Sequence, residues 1–198
     1  MQDASPPAEF AGLYIHIRIL LGMIVGLGLT HVLRHVARLI EQPGARRIYW
    51  VHLLWVAFVF VYLLHFWWWQ FRLSHQAQWD FNLYLFVTLY ALLLYLLCAL
   101  VFPESLDGYR GYEDYYYSRR RWFFGALVLV FAVDLADTAF KGAGYFRQLG
   151  PEYPLRNGLY IVAGIAAMAT RNRFYHGAWA IAALAYELSW IVRYYERI

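Results

Sequence analysis

Residues 48–71 read IYWVHLLWVAFVFVYLLHFWWWQF, a run without Asp, Glu, Lys or Arg. A helix of about 20 apolar residues crosses the roughly 30 Å hydrocarbon core of a bilayer, and this run is long enough to do so. Five similar runs flank it, at about 12–36, 80–102, 121–141, 156–170 and 174–195. The expected fold is all-α: a polytopic membrane protein, a bundle of six transmembrane helices with short loops, forming one transmembrane domain over residues 1–198.

Composition agrees. The 198 residues are 62% hydrophobic, 21% aromatic and 15% charged, with mean hydropathy +0.42, whereas ordinary soluble domains are about 25% charged and about 45–50% apolar. One cysteine, Cys98, excludes an internal disulfide framework, and its place in an apolar run marks it as inert core. So apolar a chain is not disordered. The net charge of +4 is no sign of nucleic-acid binding here, because the arginines cluster between the apolar runs. The N-terminal segment has no basic region ahead of an apolar one, so no cleaved signal peptide is expected.

Prolines mark the same boundaries. Pro6, Pro7, Pro43, Pro103, Pro151 and Pro154 all fall outside the six runs, as expected for a residue that lacks the amide proton a helix interior needs. The run at 156–170 is the shortest. Arg156 and Arg171 can snorkel to the two interfaces, and a re-entrant hairpin of the last two runs is the alternative.

Positive charge orients the bundle. Arg34, Arg38, Arg46, Arg47, Arg110, Arg119, Arg120, Arg121, Arg171 and Arg173 lie in one set of loops; Arg72, Lys141, Arg147, Arg156, Arg193 and Arg197 lie on the other face. The richer set is expected in the cytoplasm, which places both termini outside. Trp50, Trp67, Trp68, Trp69, Trp79, Trp122, Trp190, Tyr194 and Tyr195 sit at helix ends, as interfacial belts do. The loop at 104–121 carries Tyr109, Tyr112 and Tyr116 at i, i+3, i+7, which predicts a short cytoplasmic helix lying on the surface, with Arg119 to Arg121 at anionic headgroups. In composition, and in its preference for Arg over Lys, the chain resembles multi-pass bacterial inner-membrane proteins. No internal repeat of the inverted-transporter kind is visible.

Small residues predict close helix contacts. Gly22 and Gly26 are in G-x-x-x-G register, and Ala163, Gly164, Ala167, Ala178 and Ala182 enrich the last two spans. They serve packing within one chain or a homo-oligomer interface, and six short-looped helices leave little room for a central cavity, so a homo-oligomer is expected.

Ionisable residues inside the spans are costly and are the first candidates for function. Counted from the outer ends, His16, Arg18, His65, Asp134, Asp137 and Glu187 fall in one band roughly 6–12 Å below the outer interface, at about 1.5 Å per residue. Asp134, Asp137 and Lys141 share a helical face at i, i+3, i+7. Three carboxylates face Arg18 and Lys141, so one acid is formally unpaired and must be protonated or hold a cation. The expected activity is passage of protons or small cations, with Asp134 and Glu187 as ligands, Arg18 as counter-charge and His65 as relay at the outer mouth. The static alternative pairs Arg18 with Asp134 or Asp137, and Asp137 with Lys141 as an interfacial ion pair, in a structural or accessory subunit.

The histidines suggest a different cofactor chemistry. Two b-type haems would need pairs at matching depths, which His16 with His65 and His31 or His35 with His52 provide. Against this, positions 52 and 65 point about 140° apart on one helix. A metal site on His31 and His35 lacks a carboxylate or cysteine nearby in sequence. His75 and His176 lie at loop edges, where solvated side chains are expected. No nucleotide loop, nucleophile elbow or zinc-protease signature is present, and no spacing singles out an enzyme acting on lipid.

Overall fold

The computed structural model describes residues 8–42, 44, 47–70, 80–140 and 143–195. Arg46, Arg72, His75, Trp79, Lys141 and Arg197 lie outside the described residues, as do the side chains of Tyr194 and Tyr195. Every element is helical: α1 Ala8–Glu41, α2 Trp50–Trp69, α3 Phe81–Val101, α4 Tyr112–Phe140, α5 Ala143–Gln148, α6 Glu152–Ala169 and α7 Arg173–Tyr195. α1 to α4 are long and apolar enough to cross a membrane.

Local chemistry sets the helix ends. Asp80 caps α3 by accepting from the Leu83 amide at 2.8 Å, and Pro103 follows its last turn. Pro151 leads into α6, with Gly150 before it at φ 71°, a left-handed turn that favours glycine.

α2 lies at the centre, against α1, α3, α4 and α7, while α4 packs along α3 and α6. Trp55, Phe58, Phe124 and Phe131 fill the interior, with Trp55 and Phe124 edge to face at 5.2 Å and Phe131 stacked on Tyr160 at 4.1 Å. Small residues bring helices of the same chain together. A Cβ on Gly164 would stand 2.6 Å from Val128 Cγ2, and one on Gly22 would stand 2.9 Å from Trp67 Cη2; Ala167 is buried, whereas Ala178 and Ala182 lie on the outer surface.

The tyrosine-rich segment is not a separate surface helix. α4 begins at Tyr112, and Tyr115 and Tyr116 are buried because their hydroxyls reach the Leu100 carbonyl and His176 Nδ1, at 2.9 and 2.8 Å. Burial in a bundle, rather than adsorption on a bilayer, explains the spacing. Aromatics at helix ends also divide in two. Trp50, Trp68 and Trp122 are exposed, while Trp69 and Trp190 turn inward.

Candidate functional site

Four helices converge on one buried polar cluster. α2 contributes His65 from its last turns, α4 contributes Asp134, Asp137 and Thr138, α6 contributes Tyr153, Arg156 and Asn157, and α7 contributes Glu187. Glu187 is fully buried. Arg156 Nη2 donates to its Oε2 at 2.6 Å, and His65 Nδ1 donates to its Oε1 at 2.5 Å. One carboxylate thus holds both a fixed cation and an imidazole.

Arg156 is wrapped in aromatic rings. Its guanidinium lies 4.9 Å from the Trp190 ring centre and 5.8 Å from those of Phe131 and Tyr160. Such contacts offset part of the desolvation of a buried charge.

Asp134 stands beside this triad and is met by neutral donors. The Tyr153 hydroxyl donates to its Oδ2 at 2.7 Å, Asn157 Nδ2 to the same oxygen at 2.8 Å, and the Tyr90 hydroxyl to Oδ1 at 3.3 Å. Thr138 Oγ1 lies 2.7 Å from the Tyr153 hydroxyl, and Tyr62 and Tyr90 join at 3.2 Å. A cavity of about 20 Å³ separates the two halves, lined by His65, Asp134, Tyr153, Arg156 and Trp190. One water needs about 10–15 Å³ on this measure, together with two to four polar partners. The space fits a single water.

The structure bonds His65 to Glu187 and sets His65 and Asp134 on one cavity, while Asp137 is buried one turn further along α4. Arg18 stands apart from them. Among the described residues α1 packs on α2 and α3, and Arg18 lies on its exposed surface with the guanidinium 5.9 Å from the Trp67 ring. The counter-charge of Glu187 is Arg156, a residue whose place at the start of a short apolar run suggests an interface. Its signal was available: Tyr153, Arg156, Asn157 and Tyr160 stand at i, i+3, i+4, i+7, a polar and aromatic stripe on one helical face. Lys141, expected beside Asp137, lies outside the described residues.

The histidine pairs do not fit two haems. His16 is exposed on α1, while its expected partner His65 bonds Glu187. In the other pair, His35 and His52 both touch Phe102, each with ring centres 5.1 Å from it, so a phenyl ring fills the place between them. His52 Nε2 also donates to the Val101 carbonyl at 2.6 Å. His31 and His35 have ring centres 4.4 Å apart, yet no group of three metal-ligating side chains forms among the described residues. His176 is not a solvated loop residue: it is fully buried and shared between the Tyr116 hydroxyl and the Thr170 carbonyl.

Comparison with known proteins gave no match among protein-family models, curated proteins or solved structures.

Proposed function

We propose that this chain is a six-span integral protein of the bacterial inner (cytoplasmic) membrane, with both termini outside, that passes protons through the Asp134, His65, Glu187 and Arg156 cluster. α6 and α7 serve as the fifth and sixth spans. Their outer faces are apolar, with Leu155, Leu159, Val162 and Ile165 exposed on α6 and Phe174, Ile181, Leu188 and Val192 on α7. Their inner faces hold Arg156, Asn157, His176 and Glu187. Ionisable residues turned into a bundle lower the hydropathy of a span without exposing charge to lipid.

One observation carries the function: a buried imidazole on Glu187 and three phenols hydrogen-bonded around Asp134 stand on either side of a space for one water, and that water would join the two groups. Proton transfer needs donors and acceptors in such contact, with no dehydration of an ion. A metal cation would need oxygen ligands free to coordinate it. Glu187 and Asp134 instead accept from Arg156, His65, Tyr153 and Asn157, which favours protons over cations.

The aromatic wrapping of Arg156 favours a second use of the same residues, as a static clamp between α6 and α7 in an accessory subunit. Proton flux into liposomes holding a pH-sensitive dye separates the two. Asp134→Asn should abolish flux while helicity and thermal midpoint stay near wild type. Wild-type flux in that variant would sink the assignment.

A further inference from the structure

At the opposite end of α2 from Glu187, a second cavity of about 180 Å³ opens where α1 ends and the connection from α3 to α4 begins. His35, Arg38, Gln42, Ile48, Glu104 and Tyr112 are among its walls. Against the roughly 10–15 Å³ that one water occupies on this scale, it has room for a group of molecular size.

Its charges do not satisfy one another. Arg38 and Glu104 carry opposite signs on the same cavity, yet among the described residues neither forms a salt bridge. His35 adds a buried acceptor: its Nδ1 donates to the His31 carbonyl at 2.8 Å, and its Nε2 has no partner. The complement of such walls is a zwitterion, an anionic group on the Arg38 guanidinium and an ammonium on the Glu104 carboxylate.

The surroundings point to the bilayer as its source. Ile48 lines the cavity and is 52% exposed, and Ile40, which follows the lining residue Leu39, is 75% exposed, an apolar border of the kind that meets acyl chains below headgroups. We propose that this cavity seats the phosphoethanolamine headgroup of one membrane lipid, phosphate toward Arg38 and amine toward Glu104. The site is independent of the proton cluster.

The test uses the full chain in detergent, with bound lipid counted by native mass spectrometry in mixed micelles. Wild type should retain phosphatidylethanolamine over phosphatidylglycerol by on the order of tenfold. Glu104→Gln should erase that preference, and Arg38→Gln should weaken retention of both lipids. Both positions are exposed, so the variants should keep wild-type helicity, read by circular dichroism. Equal retention of the two lipids by wild type, or an unchanged preference in Glu104→Gln, overturns the proposal. Displacement of the lipid by an equal concentration of water-soluble phosphoethanolamine also overturns it, by assigning the site to a free metabolite.

Discussion

The Arg156 guanidinium rests 4.9 Å from the centre of the Trp190 ring while its Nη2 donates to Glu187 at 2.6 Å. Charge and indole are therefore held by one side chain, and loss of either carboxylate or guanidinium strands the other in a low-dielectric interior. Arg156→Met should cost about 3–5 kcal/mol, the usual penalty for breaking a buried pair from one side. The double variant Arg156→Met with Glu187→Leu should recover most of that loss. Unfolding in mixed micelles measures both, and strictly additive losses would contradict the coupling.

Tyr153 ties α6 to the Asp134 side of the cluster, because its hydroxyl meets both Asp134 and Thr138 of α4. Tyr153→Phe removes that bridge with little change of volume. A loss of about 1–3 kcal/mol in stability is expected from the unsatisfied partners, together with slower proton flux. Thr138→Val at the edge of the chain should lower stability without a comparable loss of flux.

Gly164 and Gly26 should respond in opposite ways. A methyl at 164 meets Val128 Cγ2 at 2.6 Å, whereas a methyl at 26 meets no atom within 4 Å. Gly164→Ala should destabilise by about 1–3 kcal/mol, the range for overpacking, and Val128→Ala in the same chain should relieve it. Gly26→Ala should be neutral or slightly stabilising through helix propensity. Size-exclusion with light scattering on Gly26→Ile adds a check on assembly: a shift to a smaller species would assign the Gly26 face to a contact between copies.

At the N-terminal end of α6, Glu152 accepts from Arg193 at 2.6 and 3.0 Å and from the Tyr186 hydroxyl at 2.7 Å. Hydrogen bonds from Arg193, then Tyr186, hold its carboxyl below the ordinary value of 4.5. A depressed folded-state value stabilises the protein above the unfolded-state value and loses that contribution as pH falls through the folded one. The thermal midpoints of wild type and Glu152→Gln should therefore differ at neutral pH and converge below about pH 4. The group is exposed, so the difference is small and shrinks with added salt. Curves that stay parallel down to the lowest pH would remove the pair from the stability of this end.

Much of this molecule is legible in its sequence, for reasons that particular residues make plain. Uncharged length and flanking prolines locate α2 and α3 to within a few residues, because burying a charge in an apolar span is costly whatever the neighbours do, whereas α4 starts nine residues before its apolar run, at Tyr112. Depth along a helix is also legible, and the structure bonds His65 to Glu187 and sets Asp134 on the same cavity as His65. Rotation about the helix axis is not. Arg18 lies on the exposed surface of α1, which among the described residues packs on α2 and α3, and the short run at 156–170 makes Arg156 read as interfacial. Which face turns inward is decided by contacts such as Gly164 on Val128, which pair residues far apart in the chain and leave no local pattern.

Glu187 and His176 lie eleven residues apart on α7, an interval that returns a helix to within about 20° of the same direction after roughly 16 Å. One is fastened to His65 and Arg156, the other to Tyr116. A rod gripped at two levels along a single edge resists bending but transmits torque. The two grips fix the rotation of α7 as well as its height, so the same edge meets the bundle at both levels.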